Sequence, residues 1–268
     1  MPAEDARASG ADPADTPHPT DTPHRTGPPH PADTPHPADT PHRTDGSSPA
    51  ETPHGPTSRT VLTPRLLMRG FTDADRVPFA RMNADPVVME HFVRLRTLED
   101  TNAFVDRITA HWDEHGWGLW ALERRDTGEF IGYTGLWPVR FEAAFSPKVE
   151  VGWRLAAAHW GQGFATEAAG AAVDHAFTVL GWPEVVSFTA TANVRSQAVM
   201  RRIGMRREPQ WDFEHPAVPV GHPVRPHVFY RLTAEDRRAA LSRRAALSRP
   251  DPASRRPTAT DGGAPYPV

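Results

Sequence analysis

One short stretch constrains this chain more than any other: Trp160-Gly161-Gln162-Gly163-Phe164-Ala165-Thr166-Glu167. Before it, Val149 to Leu155 reads as a strand. After it, Phe164 to Leu180 reads as a helix, with Ala165, Ala168, Ala169, Ala172, Val173, Ala176 and Phe177 on one face. Strand, glycine loop and alanine-rich helix follow one another without a gap. The glycines let the backbone approach a bound group closely. The unpaired amides and positive dipole end of the helix then face that group. A helix start opened in this way suits a pyrophosphate. Two common phosphate loops do not fit. A Walker loop needs a Lys-Ser/Thr pair after its last glycine. A dinucleotide fingerprint needs a third small residue where Thr166 sits and an acidic residue after a second strand.

The third reading fits. The segment resembles the pyrophosphate loop of the GNAT acetyltransferases, Gln/Arg-x-x-Gly-x-Gly/Ala. Gly163 and Ala165 match that pattern, while Trp160 stands where Gln or Arg is usual. Its Trp-Gly-x-Gly-aromatic-Ala-Thr-Glu form is similar to the branch of ribosomal-protein N-terminal-alanine acetyltransferases. A second segment, Asn193 to Met205, resembles the family's Asn-x-x-Ala/Ser…Gly-Phe motif, with Ser196, Gly204 and Met205 at the expected offsets.

The resemblance implies a mixed α/β GNAT fold, a mostly antiparallel twisted sheet flanked by helices, and acetyl-CoA as co-substrate without a metal. It implies that Trp160, Gly161, Gln162, Gly163, Phe164, Ala165 and Thr166 bind the cofactor's pyrophosphate. In the family the strand before the loop bulges and splays from its neighbour, and pantetheine pairs with it. By position that involves the backbone of Trp153, Arg154 and Leu155, with the Trp153 N–H donating to the thioester oxygen. The Trp153 indole reads as core. Asn193 would hydrogen-bond pantetheine while serving as a helix N-cap. Glu150 matches the family's catalytic base. The usual tyrosine acid is replaced by Met200, leaving Ser196 to assist the departing thiolate, or to be an ordinary first-turn serine.

Composition divides the chain. Residues 1–58 repeat Asp-Thr-Pro-His, with His18, His24, His30, His36 and His42 at six-residue spacing. Proline at this density blocks helices and ladders, and there is little apolar surface to bury. The segment reads as a disordered tail, with a metal-binding histidine tract as the alternative. Residues 236–268 read as an Arg/Ala-rich helix that runs into a second disordered tail. Residues 59–235 are left as the folded domain. There is no cysteine, which fits a reducing compartment and excludes a cysteine nucleophile. No signal peptide and no membrane-spanning run is visible, so a cytoplasmic protein is expected. The net charge of −3 says little about partners, but acidic residues outnumber Arg7, Arg25 and Arg43 in the first segment, so no nucleic-acid signal is expected there. The sequence leaves monomer and homodimer open.

Within the domain, Val61 to Arg69 reads as a strand, and Asp73 as the cap of a helix over Ala74 to Met82. Thr97 opens a second helix that carries Phe104, Ile108 and Trp112 and ends at Gly116. Leu119 to Glu123 and Phe130 to Leu136 read as a hairpin. Val185 to Ala190 is a strand, Val194 to Ile203 a helix, and Gln210 to Phe213 and His227 to Leu232 closing strands.

Acetyl transfer to an amine requires a neutral nitrogen. A lysine-like amine, pKa ~10.4, is neutral about one time in two thousand at pH 7, a penalty of roughly 4–5 kcal/mol. A peptide α-amine, pKa ~8, carries only about 1–1.5 kcal/mol. A base is therefore essential for the first and helpful for the second. Trp117, Trp120, Trp137, Asp212, Glu214 and His215 fall in segments that the resemblance places on the acceptor side. The expected function is N-acetyl transfer to a primary amine, a protein N-terminus or a small amine, in a ternary complex. The alternatives are an antibiotic-type acetyltransferase and a non-catalytic acyl-CoA sensor.

Overall fold

A computed structural model describes residues 59–146 and 148–247, with side chains to residue 242. The assignments of disorder to residues 1–58 and 250–268 lie outside the described residues. The domain is built on one sheet, nine-stranded among the described residues: β1 (Val61–Leu62), β2 (Leu66–Arg69), β3 (Leu119–Arg124), β4 (Phe130–Pro138), β5 (Val149–Leu155), β6 (Glu184–Ala190), β9 (Pro226–Thr233) and β7 (Arg206–Arg207) lie side by side in that order, with β8 (Phe213–Glu214) also pairing β9. Among the described residues, every strand pairing is antiparallel except that of β5 with β6.

Val61 to Arg69 is not one strand. It is a hairpin of β1 (Val61–Leu62) and β2 (Leu66–Arg69). Pro64 lacks the N–H a ladder needs, and Thr63 closes the turn through its backbone N–H to the Leu66 carbonyl, 2.9 Å. The first helix, α1 (Asp73–Asn83), is capped by Thr72 rather than Asp73. The Thr72 N–H donates to Asp75 Oδ2 at 2.7 Å, the reciprocal half of a capping box. Helix α2 (Leu98–His115) starts at Thr97 and ends at Gly116, whose φ of 73° is the left-handed C-cap. Its buried face of Phe104, Val105, Ile108 and Trp112 packs into the main core. Each such side chain contributes about 1.5–3 kcal/mol on leaving water.

The hairpin of β3 (Leu119–Arg124) and β4 (Phe130–Pro138) leads to β5 (Val149–Leu155). Helix α3 (Phe164–Thr178) lies over β4 and β5, with Ala168, Ala169, Ala172, Val173 and Ala176 fully buried. Small side chains let the helix axis come close to the sheet. Then follow β6 (Glu184–Ala190), α4 (Val194–Arg202), β7 (Arg206–Arg207), β8 (Phe213–Glu214), β9 (Pro226–Thr233) and α5 (Ala234–Leu247). Gln210 to Phe213 is mostly not strand: residues 209–211 form a 3-10 turn, and only Phe213 and Glu214 pair with β9. The Arg/Ala-rich segment is helical as far as Leu247. Among the described residues, no helix is long and apolar enough to cross a membrane.

Candidate active site

The site is set by the two edges of β5. Toward β4, the strand keeps unbroken antiparallel register over its whole length, from Val149 opposite Pro138 to Leu155 opposite Gly132. The bulge expected in this strand is therefore absent. Toward β6, a single parallel pair remains, Glu150 with Val186, although β6 continues to Ala190. The expected splay is present.

Hydrogen-bond parity tells which backbone groups face the gap. Just outside the β4–β5 ladder and in its register, Ala156 N–H donates to the Ile131 carbonyl at 3.0 Å and Val139 N–H to the Lys148 carbonyl at 2.9 Å. Antiparallel pairs alternate, so Glu150, Gly152 and Arg154 spend their main-chain groups on β4. Val149, Val151, Trp153 and Leu155 direct theirs toward β6. The Trp153 and Leu155 N–H groups thus open into the gap. The Arg154 main chain does not, because it is paired with Tyr133. The Leu155 carbonyl is partly taken as well, since it accepts from Trp160 Nε1 at 2.8 Å.

At the end of β5, residues 157–159 make a 3-10 turn, and the chain passes through Trp160 to Gly163 into α3. Gly161 and Gly163 have φ of 74° and 84°, a region that L side chains avoid. Glu167 N–H makes the first bond of the helix end, to the Gly163 carbonyl at 3.0 Å. The amides of Phe164, Ala165 and Thr166 are left directed out of the helix end. The Phe164 ring is not part of this surface. It is buried, under the Arg65 and Arg124 guanidiniums at 4.4 and 5.5 Å. Gln162 and Gly163 are exposed, and the Gln162 carbonyl accepts from Arg65 Nη1 at 2.8 Å. Glu167 clamps the same arginine through Oε2 to Nε, 2.7 Å, and holds Thr63 Oγ1 and the Arg65 N–H through Oε1, 2.7 and 2.8 Å. These bonds hold its carboxyl below the usual range against the opposing effect of burial.

Across the gap, Asn193 is the N-cap of α4. Its Oδ1 accepts from Ser196 N–H at 3.1 Å, and its Nδ2 donates to Thr189 Oγ1 at 3.0 Å. Ser196 lines the cleft. Met200 is 1 % exposed and packs into the core, with one edge lining the cleft. A tyrosine in its place would start from inside the packing.

Glu150 projects on the opposite face of β5 from Val149 and Val151, the face shared with Gly152 and Arg154. Its carboxyl makes no ion pair or hydrogen bond among the described residues. Burial alone pushes it up to about 8. Beside it in β4 is Trp137, 3 % exposed, whose indole N–H has no partner among the described residues. Two residues beyond Gly152, Arg154 is 6 % exposed without a carboxylate partner among the described residues. Its charge is met by the Asn83 side-chain carbonyl at 2.7 Å and by the Phe92 and Tyr133 rings at 4.1 and 5.6 Å.

Trp137, Glu150, Arg154, the loop from Trp160 to Thr166, Asn193 and Ser196 line one cleft of about 1310 Å³. Of the acceptor-side residues expected from sequence, Trp137 lines it and His215 lines a smaller cavity beside it. The rest are elsewhere. Trp120 is fully buried against Trp112 and His175, and Trp117 packs on Trp182. Asp212 accepts from the Phe229 N–H at 3.0 Å, and Glu214 pairs with Arg225 at 3.0 Å. Sequence reasoning missed His91, Phe92 and Ser187, which also line the cleft. They stand alone in their segments, with no spacing that marks them. Among the described residues, no group of three His, Asp or Glu could hold a metal ion.

A family profile described as an acetyltransferase (GNAT) domain matches residues 65–206, just over half of the chain. The chain belongs to the GNAT acetyltransferase family. It is an acetyl-CoA-dependent enzyme, which removes the sensor alternative. Among curated relatives, the uncharacterized N-acetyltransferase YoaA of Bacillus subtilis (strain 168) is 28% identical over 148 residues, 54% of this chain and 82% of that protein. An acetyltransferase from Agrobacterium tumefaciens str. C58 is 29% identical, with a TM-score of 0.53 over 72% of this chain and 99% of its own. RimJ of Mycobacterium smegmatis, solved in complex with CoA-disulfide, shares the fold at 21% identity, with a TM-score of 0.51 over 66% of this chain and 90% of its own.

Proposed function

We propose that this acetyltransferase acts on a primary amine whose pKa lies near that of a peptide N-terminus, by direct transfer in a ternary complex with Glu150 as base. The observation that carries this reading is the Glu150 carboxyl: unpartnered, facing the cleft, and pushed up to about 8 by burial. A carboxylate with a pKa of about 8 takes the proton of an amine of similar pKa at almost no free-energy cost, but that of a lysine-like amine only at roughly 3 kcal/mol uphill. The match is with an α-amine at ~8, not with a lysine at ~10.4.

In the proposed complex, the amides of Phe164, Ala165 and Thr166, with the loop Trp160 to Gly163, hold the pyrophosphate. The Trp153 and Leu155 N–H groups receive the pantetheine and thioester end in the gap. Trp153 N–H takes the thioester oxygen, and Asn193 adds a contact to pantetheine while it caps α4. The amine loses its proton to the Glu150 carboxylate. Its nitrogen attacks the thioester carbon as the carbon–oxygen double bond opens toward Trp153 N–H. The carbonyl re-forms as the carbon–sulfur bond breaks, and the second proton of the attacking nitrogen passes to the departing sulfur, leaving a neutral amide and CoA as the thiol. With Met200 in the core, Ser196 is the nearest hydroxyl in the second motif to assist. A thiol pKa of ~8.5 makes such assistance modest.

The reading is supported by the motif's likeness to the N-terminal-alanine branch and by the fold shared with RimJ. A panel of primary amines with pKa from about 7 to 10.5, followed by release of free CoA at pH 7.5, tests it. The expected kcat/KM peaks among amines near pKa 8. A monotonic rise toward lysine-like amines would refute the α-amine assignment.

A further inference from the structure

Several charged side chains on the cleft wall have an opposite charge in place. Arg195 stands 3.6 Å from Glu90, Glu167 2.7 Å from Arg65, and Asp174 2.8 Å from Arg237. Arg154 differs. It lines the same cleft, is 6 % exposed and has no carboxylate beside it among the described residues. A buried cation without a counter-charge is costly to keep.

The three guanidinium nitrogens are used unequally. Nη1 donates to Asn83 Oδ1 at 2.7 Å. Nε is enclosed and has no partner among the described residues. Nη2 has no partner there either, but unlike Nε it is not shut off from solvent, so its N–H groups open into the cleft. The group is held still by Asn83 and by the Phe92 and Tyr133 rings at 4.1 and 5.6 Å.

Orientation separates this group from the cofactor. The N–H groups of Trp153 and Leu155 point along the sheet into the gap beside β6. Side chains stand roughly perpendicular to a sheet, and Arg154 shares its face of β5 with Glu150 and Gly152. Its side chain reaches Asn83, the last residue of α1, rather than the glycine loop. Between the two charged residues the face is open. Apart from its chain neighbours, a Cβ at Gly152 would meet nothing within 4 Å except Glu150 Oε1 at 3.8 Å. The Glu150 carboxyl therefore leans over Gly152, and Arg154 stands two residues further on, about 7 Å along the strand. One extended residue spans about 3.5 Å. An amine held at Glu150 thus places the group that meets Arg154 on the next residue of the acceptor, as its side chain or its terminal carboxyl.

We infer that Arg154 is a specificity residue that takes a carboxylate of the acceptor, one residue removed from the amine, through its open Nη2–H. The inference rests on the amine-acceptor reading above. With Nη1 committed to Asn83 and Nε enclosed, the contact is a single charge-assisted hydrogen bond rather than a fork. A cationic group at the same place would be set against a like charge in a site that already lacks an anion.

The test uses the full chain, acetyl-CoA and two matched pairs of acceptors, followed by free CoA. One pair is two amidated peptides that begin Ala-Glu and Ala-Gln. The other is the dipeptide Ala-Ala with a free or an amidated terminus, which separates a terminal carboxylate from a side-chain one. In at least one pair the acidic member is expected to have a kcat/KM at least about tenfold higher, the usual scale for a hydrogen bond to a charged group. Arg154→Met should bring that ratio close to one. Asn83→Asp should do the same with the guanidinium still present, because it sets a carboxylate against Nη1, and it keeps the test alive if the first variant fails to fold. Arg154→Lys should retain part of the preference, which a merely structural role would not explain. Equal rates within both pairs, or an acidic preference that survives both Arg154→Met and Asn83→Asp, would overturn the assignment and leave the acceptor reading standing. So would a tenfold loss of acetyl-CoA affinity in Asn83→Asp, which would place the guanidinium on the cofactor instead. No CoA release from any acceptor would overturn the acceptor reading itself.

Discussion

The two edges of β5 are used in opposite ways. One is zipped to β4 along seven residues; the other touches β6 at one. The closed edge holds the sheet together and leaves nothing free. The open edge offers N–H groups that no strand answers, in the family where acetyl-CoA is the co-substrate. Alternation within one strand separates the two duties: even-numbered residues serve the fold through their main chain, and odd-numbered ones face the gap. Glu150 joins both. Its backbone is tied into the sheet while its carboxyl enters the cleft.

The closed edge breaks most severely. A Cβ at Gly132 would lie 2.2 Å from the Arg154 carbonyl oxygen, with φ at 142°. Gly132→Ala is expected to cost several kcal/mol and to leave little folded protein, measured by urea denaturation. A stable variant would mean that the β4–β5 contact yields more than its geometry allows.

The open side should break without unfolding. Gly163→Val places a branched side chain at φ 84° in front of the helix amides, with only the end of the Arg65 side chain 3.4 Å away. Acetyl-CoA affinity should fall by about a hundredfold or more by calorimetry, with the far-ultraviolet spectrum retained. Unchanged affinity would move the pyrophosphate elsewhere.

Glu150→Gln tests the residue common to both edges. At pH 7 its kcat should fall by about 10²-fold, the usual range for a lost general base, and the deficit should shrink as pH rises and the amine deprotonates unaided. Stability should change the other way. The folded pKa of about 8 lies above the ordinary glutamate value, so the native state binds the extra proton between roughly pH 4.5 and 8. Stability from this group is present below that window and is lost as pH rises through it. The glutamine variant should gain on the wild type by up to about 5 kcal/mol at pH 9, reduced by solvent screening in the cleft, and by less than about 1 kcal/mol at pH 5. Parallel melting curves at the two pH values would decide it.

The smallest effect belongs to Glu167. Glu167→Gln weakens the hold on Arg65 and Thr63 and should cost about 1 kcal/mol, with a several-fold loss of acetyl-CoA affinity. A large catalytic loss with normal affinity would show that Glu167 does chemistry.

Much of this was legible in the sequence because it is local. Gly161 and Gly163 marked the loop, Thr97 and Gly116 bounded a helix, and alternation from Val149 to Leu155 marked the strand. What stayed hidden depends on distant partners. Parity in β5 is set by where Ile131 and Lys148 fall across the ladder, so nothing in Trp153-Arg154-Leu155 could show that the main chain of the middle residue turns away from the gap. Glu150 and Glu167 are alike as letters. One lies in an apolar wall, and its pKa rises; the other meets Arg65 and Thr63, and its pKa falls. Residues 61–69 misled because the apolar pattern outweighed Pro64. Strand β7 was missed because Arg206 and Arg207 carry no apolar signal and pair only through their backbone with β9.

The Arg65 clamp has a consequence for how the molecule comes into being. The contacts that brace the glycine loop span 97 to 104 positions along the chain. Such non-local closure is slow and comes late in folding. The loop's own residues can be complete and correctly ordered in sequence while its support is missing. A chain truncated beyond Arg65 would keep the whole signature motif, yet start each refolding attempt without the strut on which that motif leans.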